Sequence, residues 1–172
     1  MGYAHALRGP GGRCDNFLRS AELTLANASV SKVRQSSFSP FTSAQMFNLV
    51  ANIAAYPEFL PWCSEAEVLS VDGNEVQARL GAKKGPLGYT FSTRNINESP
   101  DRILLELLDG PFKALSGTWT FAGNADGCIV SLSLDFEFSN RLLSGALSKV
   151  FAPTMDAMVD AFQQRAYQIY GS

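Results

Sequence analysis

Between residues 65 and 139 apolar and polar side chains alternate with a period of two. Past residue 139 the spacing shifts to the 3.6-residue repeat of a helix. The alternation is cleanest in its last run, where Val130, Leu132, Leu134, Phe136 and Phe138 interleave with Ser131, Ser133, Asp135, Glu137 and Ser139. That pattern predicts an antiparallel strand with one dry and one wet face. Five similar runs precede it: AEVLSV, EVQARLGA, YTFSTRNIN, RILLELL and ALSGTWTFAG. Turn signals separate them, at Asp72-Gly73-Asn74, Lys83–Gly88, Ser99-Pro100-Asp101, Asp109–Phe112 and Asn124–Gly127.

The flanks read differently. VSKVRQSSF (30–38) is a further strand, closed by Pro40. Thr42 followed by Gln45 forms a capping box, with Phe41 and Met46 at hydrophobic-staple positions, so a helix starts here and runs to about Ala51. In AAYPEFLPWC, Pro57 and Pro61 allow one short helical turn. Past Asn140, a good N-cap, Leu143, Leu147, Phe151, Met155, Met158, Phe162, Ala166 and Ile169 recur at steps of three and four. They predict one C-terminal amphipathic helix of about seven turns, kinked by Pro153 near Lys149–Phe151.

One strand, two short helices, six strands in meander and a long helix make an α+β domain. A sheet of about seven strands with one apolar face needs a cover, and only the C-terminal helix is long enough. The expected layout is a helix-grip: a curved antiparallel sheet wrapped on that helix, with the short helices closing one end of the space between. The domain spans 29–172. Residues 1–28 form an N-terminal extension, expected to be disordered. They hold Gly2, Gly9, Pro10, Gly11 and Gly12, no clear period, and Arg8, Arg13 and Arg19 against Asp15 and Glu22. A targeting peptide or an upstream start codon are the other readings.

Composition narrows the function. A net charge of −2, and −3 for residues 29–172 with 11 basic and 14 acidic side chains, argues against bulk electrostatic binding of nucleic acid, and no DNA partner is expected. Cys14, Cys63 and Cys128 contain no CxxC and are odd in number, which fits free thiols in a reducing compartment. No apolar run reaches the ~20 residues of a membrane span. The only histidine, His5, lies in the extension, so the domain offers no Ser-His or Cys-His pair, and no phosphate-binding glycine motif or zinc spacing occurs. No catalytic residue, metal or required cofactor is expected. Glu106, interrupting RILLELL, reads either as an outward ion pair with Arg94 or as a polar contact in a cavity.

The stronger lead is the aromatic and thioether set: Tyr56, Phe59, Trp62, Phe91, Trp119, Phe121, Phe136, Phe151, Met155, Met158 and Phe162. Either these side chains fill the core, or they line a ligand tunnel to which Met155 and Met158 bring adaptable thioethers. In that case Thr93 and Arg94 are placed to orient a guest, and Tyr56 to offer a hydroxyl.

YPEFLPWC (56–63), FSTRN (91–95), LLDGPFKALSGTWTF (107–121) and LDFEFSNRLL (134–143) resemble the START-like (Bet v 1-like) family over roughly residues 30–170. Its members include coenzyme Q-binding proteins and bacterial ribosome-association toxins, and it is also labelled oligoketide cyclase/lipid transport. The resemblance implies noncatalytic binding of ubiquinone or a related isoprenoid lipid in support of respiration, in a bacterial cytoplasmic protein that touches the inner membrane to exchange its ligand. It also implies an alternative, a module that binds the large ribosomal subunit and blocks subunit joining, for which Lys83, Lys84 and Lys113 are the candidate contacts, and a third, a polyketide cyclase.

Overall fold

The computed structural model describes residues 30–171; the N-terminal extension, with His5 and Cys14, lies outside the described residues, and Arg141, Leu143 and Val150 are described by backbone alone. The strands are β1 (Ser31–Ser39), β2 (Cys63–Asp72), β3 (Glu75–Lys84), β4 (Leu87–Glu98), β5 (Arg102–Asp109), β6 (Phe112–Asn124) and β7 (Gly127–Phe138). The helices are α1 (Ser43–Ala51), α2 (Tyr56–Phe59), α3 (Arg141–Asp156) and α4 (Met158–Tyr170), with a 3-10 turn at Ile53–Ala55.

All seven strands join one antiparallel sheet in the order β1-β7-β6-β5-β4-β3-β2. The meander from β2 to β7 follows from tight turns between neighbours, and β1 crosses to the far edge to pair with β7 from Ser31↔Phe136 to Ser39↔Cys128. Two irregularities bend β2, between Cys63 and Glu65 and between Val68 and Ser70. Val130, Leu132, Leu134, Phe136 and Phe138 all face the core, as the alternation demands. At Gly110 the backbone takes φ 141°, and a Cβ there would lie 2.6 Å from that of Phe91. The first of the two residues between β5 and β6 is therefore a glycine for two reasons, conformation and close approach.

The capping box at α1 forms in both directions, with the Gln45 amide N–H donating to Thr42 Oγ1 (3.2 Å) and the Thr42 N–H donating to Gln45 Oε1 (2.9 Å). Phe41 and Met46 are buried beside it. Asn140 caps α3 through its side chain, which accepts from Leu142 N–H at 2.9 Å.

The C-terminal helix is two helices, not one. Pro153 sits inside α3 without ending it, and the interruption falls at Ala157 rather than near Lys149–Phe151. The reason is an inserted side chain. Gln35 of β1 donates its amide to the Asp156 carbonyl and accepts from the Val159 N–H at 3.4 Å. The Ala157 N–H turns to Met155 O. A side chain that takes over ladder partners is a recognised cause of helix breaks. Farther along, Gln163 donates to Phe38 O at 2.8 Å, and Arg165 pairs with Glu58 while lying 5.3 Å above the Phe59 ring. These polar ties lash α4 to β1 and α2. Among the described residues no helix is long and apolar enough to cross a membrane.

Candidate ligand cavity and the groove beside it

Sheet and helices meet over an interior with two unlike parts. Toward the start of β4 the space is solid. Phe112 and Phe138 stack at 4.7 Å, the Phe151 ring meets Phe136 edge-on at 4.7 Å and Phe112 at 5.4 Å, and Phe91 and Tyr89 close the cluster. Such offset and edge-on pairs are favoured by the ring quadrupoles.

Farther along the sheet a cavity of about 60 Å³ remains. It is walled by Ile53, Tyr56, Trp62, Leu80, Phe91, Thr93, Asn95, Leu105, Leu115, Trp119, Leu132, Leu134, Phe151, Met155, Met158 and Phe162. A void of roughly 150 Å³ is known to hold benzene, and a water needs only ~10–15 Å³. The cavity as it stands takes a few waters, not a quinone ring.

Arg94 aside, nine of the twelve side chains expected to meet a guest line this cavity: Tyr56, Trp62, Phe91, Thr93, Trp119, Phe151, Met155, Met158 and Phe162. Three do not. Phe121 is spent against Phe47 (5.7 Å) and Trp119, Phe136 belongs to the solid cluster, and Phe59 packs on Phe162 (5.1 Å) and under Arg165. Tyr56 contributes its ring but not its hydroxyl, which donates to Val50 O at 2.5 Å; burial drives its pKa far above the ordinary tyrosine range. Arg94 lies on the outer face of β4, paired with Glu106 and, at 3.8 Å, with Glu75, so it orients nothing inside. Glu106 is therefore the outward ion-pair partner rather than a cavity carboxylate. These neighbours hold the Arg94 guanidinium above its usual range, mainly through the Glu106 hydrogen bond.

Asn95 escaped the sequence reading. It is buried, on the same face of β4 as Thr93, and its Oδ1 has no hydrogen-bond partner. Polar residues at alternate positions of a strand whose partners on that face are apolar were the available signal: TRN sits where a dry pattern would place two hydrophobes. Cys63 is a packed thiol. Burial pushes its pKa up to about 11, away from the thiolate that nucleophilic or metal chemistry requires.

A larger groove of about 690 Å³ lies outside. It runs between the Phe59–Trp62 segment, the end of β3 at Lys83–Gly85, and the helix junction Pro153–Ala161. The Lys83 N–H donates to Trp62 O at 2.8 Å and sets the β3 end against that segment. Trp62 and Met158 line both groove and cavity, so these two side chains form the partition between them. Lys83 and Lys84 are exposed on the rim, and among the described residues neither has an ion-pair partner. Lys113 stands elsewhere, 3.2 Å from Glu137.

A curved antiparallel sheet gripping a broken C-terminal helix over a small apolar cavity defines a START-like, Bet v 1-like domain. A sequence profile for polyketide cyclase / dehydrase and lipid transport proteins matches residues 39–163, and the chain belongs to that family. The chain is similar to the ribosome association toxin RatA of Vibrio cholerae, 40% identical over 81% of this chain and 98% of that one. Its identity to the RatA of Pseudomonas aeruginosa is 37% over 81% and 97%. A more distant relative is the mitochondrial coenzyme Q-binding protein COQ10 homolog B of Xenopus laevis, at 29% over 76% of this chain and 56% of that one. Among solved structures, a Thermus thermophilus protein superposes with a TM-score of 0.71 at 19% identity, covering 81% of this chain and 99% of that one. The Zhui aromatase/cyclase of a Streptomyces species does so with a TM-score of 0.71 at 15%, covering 81% and 94%. At such identities the last two speak to fold alone.

Proposed function

We propose that this protein acts by binding, as a ribosome-associated module that engages the large subunit and hinders subunit joining. The observation that carries the reading is its likeness to ribosome association toxins along nearly their whole length. The geometry is compatible with it. The core is nearly filled, so the working surface is outside, and the groove has two unpaired lysines on its rim. Against a domain charge of −3 these lysines act as a local, shaped contact to phosphates rather than as a general polyanion sink. Among the described residues no carboxylate lines the cavity, so a cyclase reading has no carboxylate acid or base there to build on.

The test is co-sedimentation of purified protein with ribosomal subunits across a salt series. The wild type pellets with the large subunit. Lys83→Glu/Lys84→Glu weakens that association and flattens the salt slope by about one unit per phosphate contact removed. Pelleting that is unchanged in the double variant removes the groove rim from the interface; a wild type that stays in the supernatant removes the function.

A second reading has its own support. The buried, unpartnered Asn95 amide beside Thr93 is what a binding site for a polar-headed apolar molecule contains, and a coenzyme Q-binding protein is among the relatives. Ubiquinone, in the hydroxyl-bearing quinol form that can donate to Asn95, or another isoprenoid lipid then enters by displacing Trp62 and Met158 from the partition, with the rim meeting the membrane during exchange. Burial of its chain contributes about 25 cal/mol per Å² before association costs. Extraction and mass spectrometry of protein purified from its host checks for such a guest.

A further inference from the structure

The cavity wall is apolar except in one place. Thr93 and Asn95, two residues apart on β4, face the helices among Leu105, Trp119 and Leu132. Asn95 is 6% exposed and its Oδ1 accepts nothing. An enclosed amide oxygen with no donor from the protein costs the fold more than an apolar side chain would, and a leucine of nearly the same volume would remove that cost. Groups that weaken a fold and yet line a cavity are where binding function is expected. The missing partner is a donor, because a carboxamide oxygen can only accept.

We propose that Asn95 is the specificity-determining residue of this cavity and that its guest is an apolar molecule bearing a hydroxyl or N–H group, whose donor end meets Asn95 Oδ1 with Thr93 beside it. This inference rests on the ligand-binding reading and adds the polarity and orientation of the guest. The donor end lies against the sheet at β4, and the apolar body points past Trp62 and Met158 toward the groove. Guests larger than the present space are admitted by thioether rotation at Met155 and Met158, the most adaptable part of the wall.

The experiment compares phenol with toluene, molecules of the same shape that differ in one donor, by calorimetric titration of the full chain and of Asn95→Leu. The expected result is phenol bound at least ~10-fold more tightly than toluene by the wild type, with the preference lost or reversed in Asn95→Leu. Thermal unfolding supplies the second readout. Asn95→Leu without ligand melts higher by roughly 2–8 °C, since it removes an unsatisfied group, and this shows that the variant folds. Toluene and phenol bound equally by the wild type overturns the role of Asn95 while leaving an apolar site in place; the amide then serves a resident water. Binding of neither probe overturns the ligand reading itself. A preference for phenol that persists in Asn95→Leu assigns the donor's partner elsewhere and also overturns the proposal.

Discussion

The two halves of the interior are built from the same residue types and end in opposite states. Around Phe112, Phe136, Phe138 and Phe151 the rings interlock at 4.7–6.3 Å, and of the four only Phe151, at the edge of the cluster, also borders the cavity. Around Asn95, Leu105, Leu132 and Trp119 about 60 Å³ stays open beside an amide with no partner. The difference lies above the sheet. Over the solid half the unbroken α3 lowers Phe151 into the cluster; over the hollow half the helix is interrupted at Ala157, and flexible Met155 and Met158 flank the interruption. A full aromatic inventory therefore does not tell a packed core from a binding chamber. The backbone that covers it decides.

The sharpest way to break this comparison is to truncate one side chain in each half. Phe136→Ala should cost near the top of ~3–5 kcal/mol in urea unfolding, because rings locked on several sides cannot collapse into the gap. Leu132→Ala, whose side chain already borders open space, should fall near the bottom of ~2–5 kcal/mol. Equal losses would mean the two halves are equally packed in solution.

A second measurement concerns the start of β2, next in the chain to the partition residue Trp62. With its pKa pushed up to about 11 by burial, Cys63 is roughly one part in a thousand thiolate at pH 8. In a Cys14→Ser/Cys128→Ser background it should react with a disulfide reagent on the order of a hundredfold more slowly than a free cysteine, accelerating about tenfold per pH unit up to about pH 11. Fast labelling at pH 8 would show that the start of β2 exposes its buried thiol readily. The smallest effect expected is at the helix junction. Gln35→Ala should cost about 1 kcal/mol, the net worth of hydrogen bonds of this kind, and should speed amide exchange at Val159 and its neighbours while the Phe112–Phe138 cluster is untouched. Uniform acceleration would mean that the junction is not a separate cooperative unit.

Much of this architecture is legible in the residues because its signals are local. The capping box at Thr42, the turn at Asp72–Asn74 and the β7 alternation each name a structure within a few positions, and each forms. The position of the helix break is not legible, because its cause, Gln35, lies more than a hundred residues away on β1. The wall of the cavity is partly legible, since ring-bearing and thioether positions with inward phase are countable. Asn95 does not announce itself as part of it, because an asparagine in a strand looks like surface until its neighbours are known. Arg94 goes astray through the same period of two: Thr93 and Asn95 share one face, so Arg94 takes the other.

The pairing of β1 with β7 also has a meaning in time. Ser31 must wait for Phe136, about a hundred residues later in the chain. At a synthesis rate of roughly 5–20 residues per second, that is on the order of 5–20 s during which the first strand has left the exit tunnel without its partner. The amide of Gln35 waits longer still, for Val159. The last segments made thus complete the first, and a nascent chain stalled before β7 holds an orphaned strand that chaperones or an early-folding meander must keep from pairing with another copy.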